Sequence, residues 1–361
     1  MYGRVTAARR TWYARRPDRR RRLPHAVISV GNLTWGGSGK TPFVVELARM
    51  LLARGERPAI LTRGYGRRDK TEGVLVVSDG ARILEPVTRS GDEPQLLARQ
   101  LPGVPVLVSP DRYLAGSLAA RHFGTTVSLL DDGFQHVQLE RDIDLLLVSS
   151  ADLEDRVLPS GRLREPLEAA RFADALLVSS ADDEVMAIAR ELGHAGAFHV
   201  APRYGSLRDV GRVLSDPPQD TSDPPHVATV PSRVLAVAGI ARPARFFVAL
   251  RALGYDVVRE MAFRDHHWFS RRDLDEIRKA ARAVGASMVV TTEKDAVRLQ
   301  AEDVRAALAD GTGEAVRFVY LPMTIEVSPA NVFESWLLHR LARSRGSSSP
   351  AGEVVGSSPA L

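Results

Sequence analysis

The chain has 361 residues, of which 44% are hydrophobic, 26% are charged and 6% are aromatic. This composition is typical of a globular protein and excludes a mostly disordered chain, a collagen-like fibre and a low-complexity repeat. The length predicts two or three domains. Because no stretch of about 20 apolar residues is free of charge, we expect no transmembrane helix, and the N-terminus lacks the apolar core of a secretory signal. Cysteine is absent, which excludes disulfides, thiolate metal sites and a cysteine nucleophile.

Positive charge is concentrated at the N-terminus. Lys and Arg number 49 against 44 Asp and Glu, for a net charge of +5. Residues 1–22 hold nine Arg and one Asp, so the remainder of the chain carries a small net negative charge. A basic arm attracts anionic membranes or nucleic acid, and a solvated arm is the alternative. Because the body lacks a basic stripe with interleaved aromatic residues, we expect no nucleic-acid binding.

Apolar, β-branched runs alternate with helical patterns along the chain. Such continuous apolar strands, separated by helices, predict a mostly parallel sheet covered on both faces. The predicted strands are 27–30, 59–62, 74–78, 104–109, 127–130, 143–148, 175–179, 234–238, 256–259, 288–291 and 318–321. The clearest helical patterns are 42–54 and 93–100.

Residues 27–42 (VISVGNLTWGGSGKTP) run from a buried strand through a glycine-rich loop into an apolar helix. This is the context of a P-loop, in which backbone N–H groups and a helix N-terminus bind phosphates. Lys40 is placed to reach the β- and γ-phosphates, and the Thr41 hydroxyl to ligate Mg²⁺. The first glycine of the usual pattern falls on Thr34. Gly36 and Gly37 supply the conformational freedom instead.

Asp131 and Asp132 follow a second apolar strand, and an acidic residue at such a position commonly holds Mg²⁺ beside a P-loop. Both are candidates for the direct contact. An Asp-Asp-Gly turn without a metal is the alternative interpretation.

We therefore predict an α/β protein with a P-loop NTPase-like, mostly parallel sheet domain and a smaller C-terminal α/β domain. The sequence divides into segments of distinct composition. They are a basic arm over 1–25, a P-loop domain over 26–200, a linker over 201–230, the smaller domain over 231–342 and a disordered tail over 343–361.

Three further clusters carry candidate chemistry. The GDEP piece places Asp92 and its neighbouring glutamate at a helix start, where one carboxylate could act as a general base or simply cap the helix. The FRDHHWF piece sets His266 and His267 beside an Asp among aromatic residues. A zinc site is disfavoured there, because cysteine is absent and no other cluster has ligand spacing. The LPSGRLREP piece carries Arg162 and Arg164, which suit an anionic substrate or lie in a surface turn.

These pieces occur in one order over residues 26–299, and together they resemble the tetraacyldisaccharide 4'-kinase (lipid A 4'-kinase) family. The pieces that carry the resemblance are VISVGNLTWGGSGKTP, LTRGYGRR, RSGDEPQLLA, SPDRYLAG, LLDDGFQH, LPSGRLREPL, VAGIARPARFF, FRDHHWFS and TTEKDAVRL. Trp35 and Ser38 depart from the family's usual Val and Thr. The family commonly begins with an apolar helix lying on the membrane, where this chain has its basic arm.

The resemblance implies transfer of the γ-phosphoryl group of ATP to the 4′-hydroxyl of a tetraacylated diglucosamine 1-phosphate, with ATP and Mg²⁺. It implies that Asp92 is the base, paired with His266 (or His267), which raises its basicity. Because Asp92 and His266 fall in different predicted domains, we expect the reaction to require interdomain closure. The implied phosphate-binding residues are Thr34, Gly36, Gly37, Ser38, Gly39, Lys40 and Thr41. The implied metal-binding residues are Thr41, Asp131 and Asp132. The implied substrate or accessory residues are Tyr65, Arg112, Gln135, His136, Arg164 and Glu165.

The expected partners are the acylated disaccharide lipid and an anionic membrane surface, with no nucleic acid and no obligate protein partner. We expect a peripheral protein at the cytoplasmic face of the inner membrane. The alternative function is a P-loop regulatory ATPase or metallochaperone, which would explain the P-loop and the Asp pair but not the GDEP, LREPL and FRDHHWF pieces together. The role of Lys294, in the TTEKDAVRL piece, is left open.

Overall fold

A computed structural model describes residues 2–37, 39–69, 72–211, 233–309 and 316–346. Ser38, most of the expected linker and the end of the expected tail lie outside these ranges. Within them the chain forms two β-sheets, each with helices packed against it.

The strands and helices are numbered in chain order. The strands are β1 (Ala26–Asn32), β2 (Pro58–Thr62), β3 (Leu75–Ser78), β4 (Val106–Val108), β5 (Val127–Asp131), β6 (Ile143–Val148), β7 (Ala175–Val178), β8 (Ala197–Tyr204), β9 (Arg208–Asp209), β10 (Arg233–Ala238), β11 (Asp256–Ala262), β12 (Met288–Thr292), β13 (Arg317–Leu321) and β14 (Met323–Ser328). The helices are α1 (Tyr2–Ala14), α2 (Lys40–Ala53), α3 (Val87–Ser90), α4 (Asp92–Gln100), α5 (Arg112–Phe123), α6 (Ser150–Leu153), α7 (Val185–Glu191), α8 (Pro243–Ala252), α9 (Arg271–Ala283), α10 (Glu293–Arg298), α11 (Glu302–Ala309) and α12 (Ala330–Gly346).

The larger sheet has nine strands in the order β14-β8-β7-β6-β1-β5-β2-β4-β3. The inner strands are parallel, and only the edge strands β14 and β3 run antiparallel to their neighbours. β1 lies between β5 and β6, so the loops after β1 and β5 leave the same edge of the sheet. In open α/β sheets this edge is where ligands bind, and it carries the glycine-rich loop and the Asp pair.

The main core lies between the larger sheet and helices α2 and α12. Its aromatic centre joins Phe43 of α2, Phe198 of β8 and Phe333 of α12, with ring centroids 6.0 Å apart for Phe43–Phe333 and 5.0 Å for Phe198–Phe333. Burying a side chain of this size contributes about 1.5–3 kcal/mol. The helix that carries the phosphate loop is therefore held in place by the C-terminal helix.

The smaller sheet has five strands in the order β11-β10-β12-β13-β9, all parallel except β9. It is inserted into the larger sheet between β8 and β14. The chain leaves at Gly205 and returns at Pro322, and the Gly205 N–H donates to the Pro322 carbonyl at 3.0 Å. We call residues 2–205 and 322–346 the first lobe, and the residues between them the second lobe.

The predicted fold class is confirmed, and all eleven predicted strands are present. The expected domain boundaries differ from the boundaries of the two lobes that strand pairing defines. β14 and α12, expected in the smaller domain, belong to the first lobe, and β9, expected in the linker, pairs with β13. The expected arm contains helix α1, and α12 extends to Gly346 within the expected tail. Among the described residues no helix is both long and apolar enough to cross a membrane.

Candidate active site

The glycine-rich loop follows β1 and leads into α2. Gly36 and Gly39 have left-handed backbone angles, with φ of +113° and +87°, which glycine adopts without steric cost. Gly39 precedes the first turn of α2, to which Lys40 and Thr41 belong. Thr34, at the position of the missing glycine, forms an isolated β-bridge with Leu163 and does not have a positive φ. The local backbone therefore does not require a glycine at residue 34.

Lys40 lies at the centre of a group of polar side chains. Its Nζ donates to Asn32 Oδ1 at 2.7 Å and lies 3.2 Å from Asp132 Oδ1. Arg164 makes two bonds to the same carboxylate, at 2.8 and 2.7 Å. Two cations thus share one carboxylate at the mouth of the loop, which makes this point strongly attractive to the oxygens of a phosphate group.

Asp131 and Asp132 differ in environment although they are adjacent in the chain. Burial, together with the charges of Glu93 and Asp132, raises the pKa of Asp131 to about 7. Burial alone would also raise the pKa of Asp132, but Lys40 and Arg164 hold it far below its usual value. Asp132 adopts a left-handed backbone, with φ of 57°, so the turn expected as the alternative is present as well.

Asp131 and Thr41 fit a magnesium ion. The Thr41 hydroxyl lies 3.4 Å from Asp131 Oδ2, while Asp131 Oδ1 is buried without a hydrogen-bond partner among the described residues. A buried, unpaired carboxylate oxygen is costly unless a cation satisfies it. Magnesium is commonly bound by one or two protein oxygens together with waters and substrate phosphates, which matches this small donor set. No group of three His, Asp or Glu side chains suited to a metal is found in the described part of the chain.

Asp92 and His266 meet across the two lobes. Asp92 opens α4 and is 2% exposed, and its Oδ2 accepts a hydrogen bond from His266 Nδ1 at 2.9 Å. Burial would raise the pKa of Asp92, but His266 and the Arg298 guanidinium, 3.3 Å away, lower it to about 2. The hydrogen bond to Asp92 raises the pKa of His266. The expectation that His266 raises the basicity of Asp92 is therefore wrong, because a positively charged imidazole favours the ionised carboxylate.

The neighbouring His267 lies in a different environment. Its Nε2 bonds Asp273 Oδ2 at 3.2 Å, and its ring stacks on Phe263 with centroids 4.7 Å apart. Of the two histidines, His266 is the one that contacts Asp92. Tyr65 packs beside it, with ring centroids 6.5 Å apart.

Helix α10 of the second lobe holds the start of α4 through charged side chains. Arg298, 1% exposed, donates to the Gly239 and His267 carbonyls and lies 3.1 Å from Asp295. Lys294, one helical turn away, bonds Glu93 at 2.5 Å. The lobes are thus joined by two ionic contacts at consecutive residues of α4, Asp92 and Glu93, so the Asp92–His266 contact expected to need domain closure is already made in this structure.

The remaining expected residues fall into two groups. Gln135 donates to the Asn32 carbonyl at 3.0 Å, and Glu165 lies next to Arg164 and is 3% exposed. Arg112 and His136 line neither of the cavities described below. Burial lowers the pKa of Arg112 to about 10 and that of His136 to about 4, so the imidazole is neutral at pH 7.

Two cavities meet at this cluster. A cavity of about 410 Å³ extends from the glycine-rich loop to the start of α8, and a cavity of about 200 Å³ lies under α1. The residues that line both cavities are Trp35, Tyr65, Asp132 and Arg164. The site therefore has two compartments that share one charged wall.

Sequence reasoning missed several residues of the site. Asn32 bonds Lys40, Arg298 and Glu93 hold the cross-lobe contact, and Arg63 lines the smaller cavity. Asn32 carried a signal, since it is a polar residue at the end of the buried strand that leads into the loop. Arg298 carried none, because its partner Asp92 is remote in the chain.

Comparison with known proteins agrees with this geometry. The model of the tetraacyldisaccharide-1-P 4'-kinase family matches residues 1–342. The tetraacyldisaccharide 4'-kinase of Syntrophus aciditrophicus is 38% identical, covering 92% of this chain and 88% of its own length, and that of Geobacter sulfurreducens is 41% identical, covering 84% and 83%. A crystal structure of LpxK from Aquifex aeolicus in complex with ATP aligns with a TM-score of 0.71 at 32% identity, covering 94% of this chain and 96% of that one. By sequence and by fold, the chain belongs to the tetraacyldisaccharide-1-P 4'-kinase family.

Proposed function

We propose that the chain transfers the γ-phosphoryl group of ATP to the 4′-hydroxyl of a tetraacylated diglucosamine 1-phosphate. The hydroxyl oxygen forms a bond to the γ-phosphorus, the bond from that phosphorus to the bridging oxygen breaks, and ADP leaves. The meeting of two cavities at Asp132 and Arg164 is the observation that carries the proposal. Donor and acceptor must approach one charged centre from two sides, and phosphoryl transfer depends mainly on such positioning and charge neutralisation.

The larger cavity is the proposed ATP site. Gly36, Gly37, Gly39, Lys40 and Thr41 line its polar end, where backbone N–H groups and Lys40 would bind the phosphates. The opposite end is lined by apolar and aromatic side chains from both lobes, which suits a nucleoside base. These side chains are Val200, Pro202, Tyr204, Ile240, Phe246, Leu321 and Met323.

Asp131 and Thr41 would hold the magnesium ion, with Asp132 keeping Lys40 and Arg164 in place. When bound, the metal neutralises charge on the transferred group. Lys40 and Arg164 would supply further positive charge, and Arg164 also lines the acceptor cavity.

Asp92 is the proposed base for the hydroxyl proton, with His266 as its partner. With a pKa of about 2, Asp92 is ionised at neutral pH and can accept a proton. His266 and Arg298 fix the orientation of its carboxylate. General-base catalysis of this kind contributes about 10²–10⁴-fold to the rate. In a loose transition state, where the bond to ADP is largely broken, the position of the carboxylate matters more than its proton affinity.

The smaller cavity is the proposed site for the sugar end of the acceptor lipid. Arg9, Arg63 and Arg164 give it positive charge, and Tyr65 and Gln135 add hydrogen-bonding groups. Such a lining suits a phosphorylated sugar. Arg63→Gln is expected to raise the KM for the lipid about tenfold, with the KM for ATP unchanged.

The direct test is transfer of labelled phosphate from γ-labelled ATP to a detergent-dispersed tetraacylated diglucosamine 1-phosphate, with separation of the lipid products. We expect label in the lipid for the native chain and for Lys279→Ala, whose exposed lysine lies on α9, and none for Lys40→Ala. Release of labelled inorganic phosphate without lipid labelling, stimulated by a protein, would instead support the regulatory ATPase.

The chain acts on a lipid precursor, and we infer that it binds the cytoplasmic face of the inner membrane peripherally through α1. Val5 and Trp12 are 62% and 42% exposed there, among exposed arginines. Each arginine near an anionic surface contributes about 1 kcal/mol to membrane binding, and aromatic rings favour the membrane–water interface. Replacing Arg15 and Arg16, which follow α1, with Gln should reduce sedimentation with anionic liposomes at low salt. Equal sedimentation of both forms would place attachment elsewhere.

A further inference from the structure

Helix α1 contains one arginine that does not face solvent. Arg10 is 3% exposed, whereas Arg4 and Arg9 on the same helix are exposed. A buried charge needs partners, and those of Arg10 lie in two loops that are distant in the chain.

Two nitrogens of the Arg10 guanidinium, Nε and Nη2, make hydrogen bonds. Its Nε donates to Glu165 Oε2 at 2.6 Å and its Nη2 to Glu165 Oε1 at 3.0 Å, which forms a two-point contact. The same Nη2 donates to the Phe134 carbonyl at 2.6 Å, and the guanidinium lies 4.0 Å from the centre of the Phe134 ring. Lysine could not reproduce this planar, forked arrangement.

The two loops that Arg10 joins are the loops of the active site. Phe134 follows Asp132 by two residues, and Glu165 is next to Arg164. Asp132 and Arg164 are themselves paired at 2.7 Å on the cavity side. Arg10 and the Asp132–Arg164 pair therefore join the same two loops at two separate points.

We propose that Arg10 is a positioning residue that couples the seating of α1 to the placement of Asp132 and Arg164 at the wall shared by the two cavities. The inference rests on the proposed acceptor site in the smaller cavity, of which α1 forms one side through Thr6, Arg9 and Arg10. A buried ion pair contributes little net stability compared with apolar packing, but it fixes geometry when its hydrogen bonds are complete. The contact suits alignment of a helix and two loops better than it suits simple anchoring.

The test compares Arg10→Gln with Arg4→Gln, which removes the same charge from an exposed position of the same helix. Arg10→Gln is expected to raise the KM for the acceptor lipid by about tenfold or more and to lower kcat, while the KM for ATP and the binding of a fluorescent ATP analogue are retained. Arg10→Lys should recover little of the loss. Arg4→Gln should leave the KM for lipid dispersed in neutral detergent within about twofold.

The Glu165→Gln variant completes the design. If Arg10 acts through Glu165, the double variant should be no worse than the poorer single variant. Unchanged lipid kinetics in Arg10→Gln would overturn the inference, as would equal losses in Arg4→Gln and Arg10→Gln, since these indicate a general charge effect. If the KM for the lipid rises in Arg10→Gln but not in Arg63→Gln, the proposal that the smaller cavity binds the acceptor fails. The proposal that Arg10 positions the two loops then stands. Loss of ATP-analogue binding in both Arg10→Gln and Arg10→Lys would show a general structural role and also overturn the inference.

Discussion

Neighbouring charges decide what each titratable side chain of this site can do. Asp131 and Asp132 are adjacent and both buried. Burial has the largest effect on the pKa of Asp131, whereas Lys40 and Arg164 together lower the pKa of Asp132. The first is left with an unpaired oxygen, and the second is fully paired. One carboxylate is thus available for a metal ion, while the other organises Lys40 and Arg164.

Lys40→Ala should lower kcat by about three orders of magnitude, because a charged group aimed at developing phosphate charge is commonly worth 10²–10³-fold or more. The Lys40 side chain is 14% exposed and lines the larger cavity rather than the core, so its removal should leave the fold intact. The measurement is steady-state transfer, with circular dichroism to check folding. Unchanged turnover in a folded variant would contradict the P-loop assignment.

Asp92→Ala and His266→Ala should each lower kcat far more than they raise the KM for ATP. Since the two side chains act as a unit, the double variant should be little slower than the poorer single variant. Kinetics of all four forms provides the check. Fully multiplicative losses would mean that the two groups act independently.

The Asp92–His266 pair should also make stability depend on pH. The Asp92 pKa of about 2 is depressed, so its contribution is present above the unfolded value and lost as the pH falls. The His266 pKa is raised, so its contribution is present below the unfolded value and lost as the pH rises through the folded value. The free energy of unfolding should therefore exceed that of His266→Asn by about 1–2 kcal/mol between about pH 4 and 6.5, and by less above it. Asn is chosen because it tolerates the left-handed backbone of His266. Urea titrations from pH 4 to 9 that show a constant difference would contradict this ionic contribution.

Residues whose partners are nearby in a motif were accessible from the sequence, and those whose partners are distant were not. Lys40, Thr41 and the Asp pair follow from a strand, a loop and a helix in order. The Asp92–His266 pairing was expected only through resemblance to a family. Arg10 and Arg298 were missed, because arginine in a basic helix or in a short polar helix gives no sign of burial.

At the scale of elements, the start of α4 depends on a single glycine. Gly91 has φ of +89°, and an added Cβ would lie 2.8 Å from the Tyr65 carbonyl oxygen. Side chains other than glycine are strained in this conformation, and a backbone atom cannot move aside cheaply. Gly91 therefore allows the loop of residues 63–66 (RGYG) to pack closely against the start of α4, next to Asp92.

Gly91→Ala should lower the free energy of unfolding by about 2–3 kcal/mol and kcat by about tenfold or more. Gly103→Ala is the matched control, because Gly103 has φ of +86° and no atom within 4 Å of an added Cβ. That variant should show only the backbone strain, about 1 kcal/mol, with unchanged kcat. Denaturant unfolding and kinetics of both variants make the comparison, and equal effects would remove the Tyr65 contact from the explanation.

Buried strands were predictable because their apolar runs are continuous. β8 and β14 were missed for a physical reason. Residues 197–204 contain Pro202 and have no buried residue after Val200. β14 alternates at the sheet edge with one buried residue, Ile325. Their pairing depends on the return of the chain from the second lobe, which no local pattern encodes.

At the scale of the whole molecule, the Glu93–Lys294 ion pair joins the lobes beside the site. Both side chains are about three-quarters buried, with 23% and 25% exposed. Lys294→Gln should lower the free energy of unfolding by about 1–3 kcal/mol, because it leaves Glu93 half-buried without its partner. Adding Glu93→Gln should recover part of that loss. Arg272→Gln, which removes an exposed pair on α9, should change stability little. A double variant less stable than Lys294→Gln alone would contradict this account.

The insertion of the second lobe between β8 and β14 has a consequence for how the protein is made. During synthesis on the ribosome, the first eight strands emerge long before β14 and α12, and the whole second lobe is translated between them. Phe333 of α12 completes the core against Phe43 of the phosphate-loop helix. Domains generally fold as units as they emerge, so the second lobe can fold while the first waits for its last strand and helix. A nascent chain that ends at Leu321 would carry every proposed catalytic residue, yet α2 would lack its contacts with β14 and α12. Among the described elements, the strand and helix that complete the packing around the phosphate-loop helix are therefore the last to be synthesised.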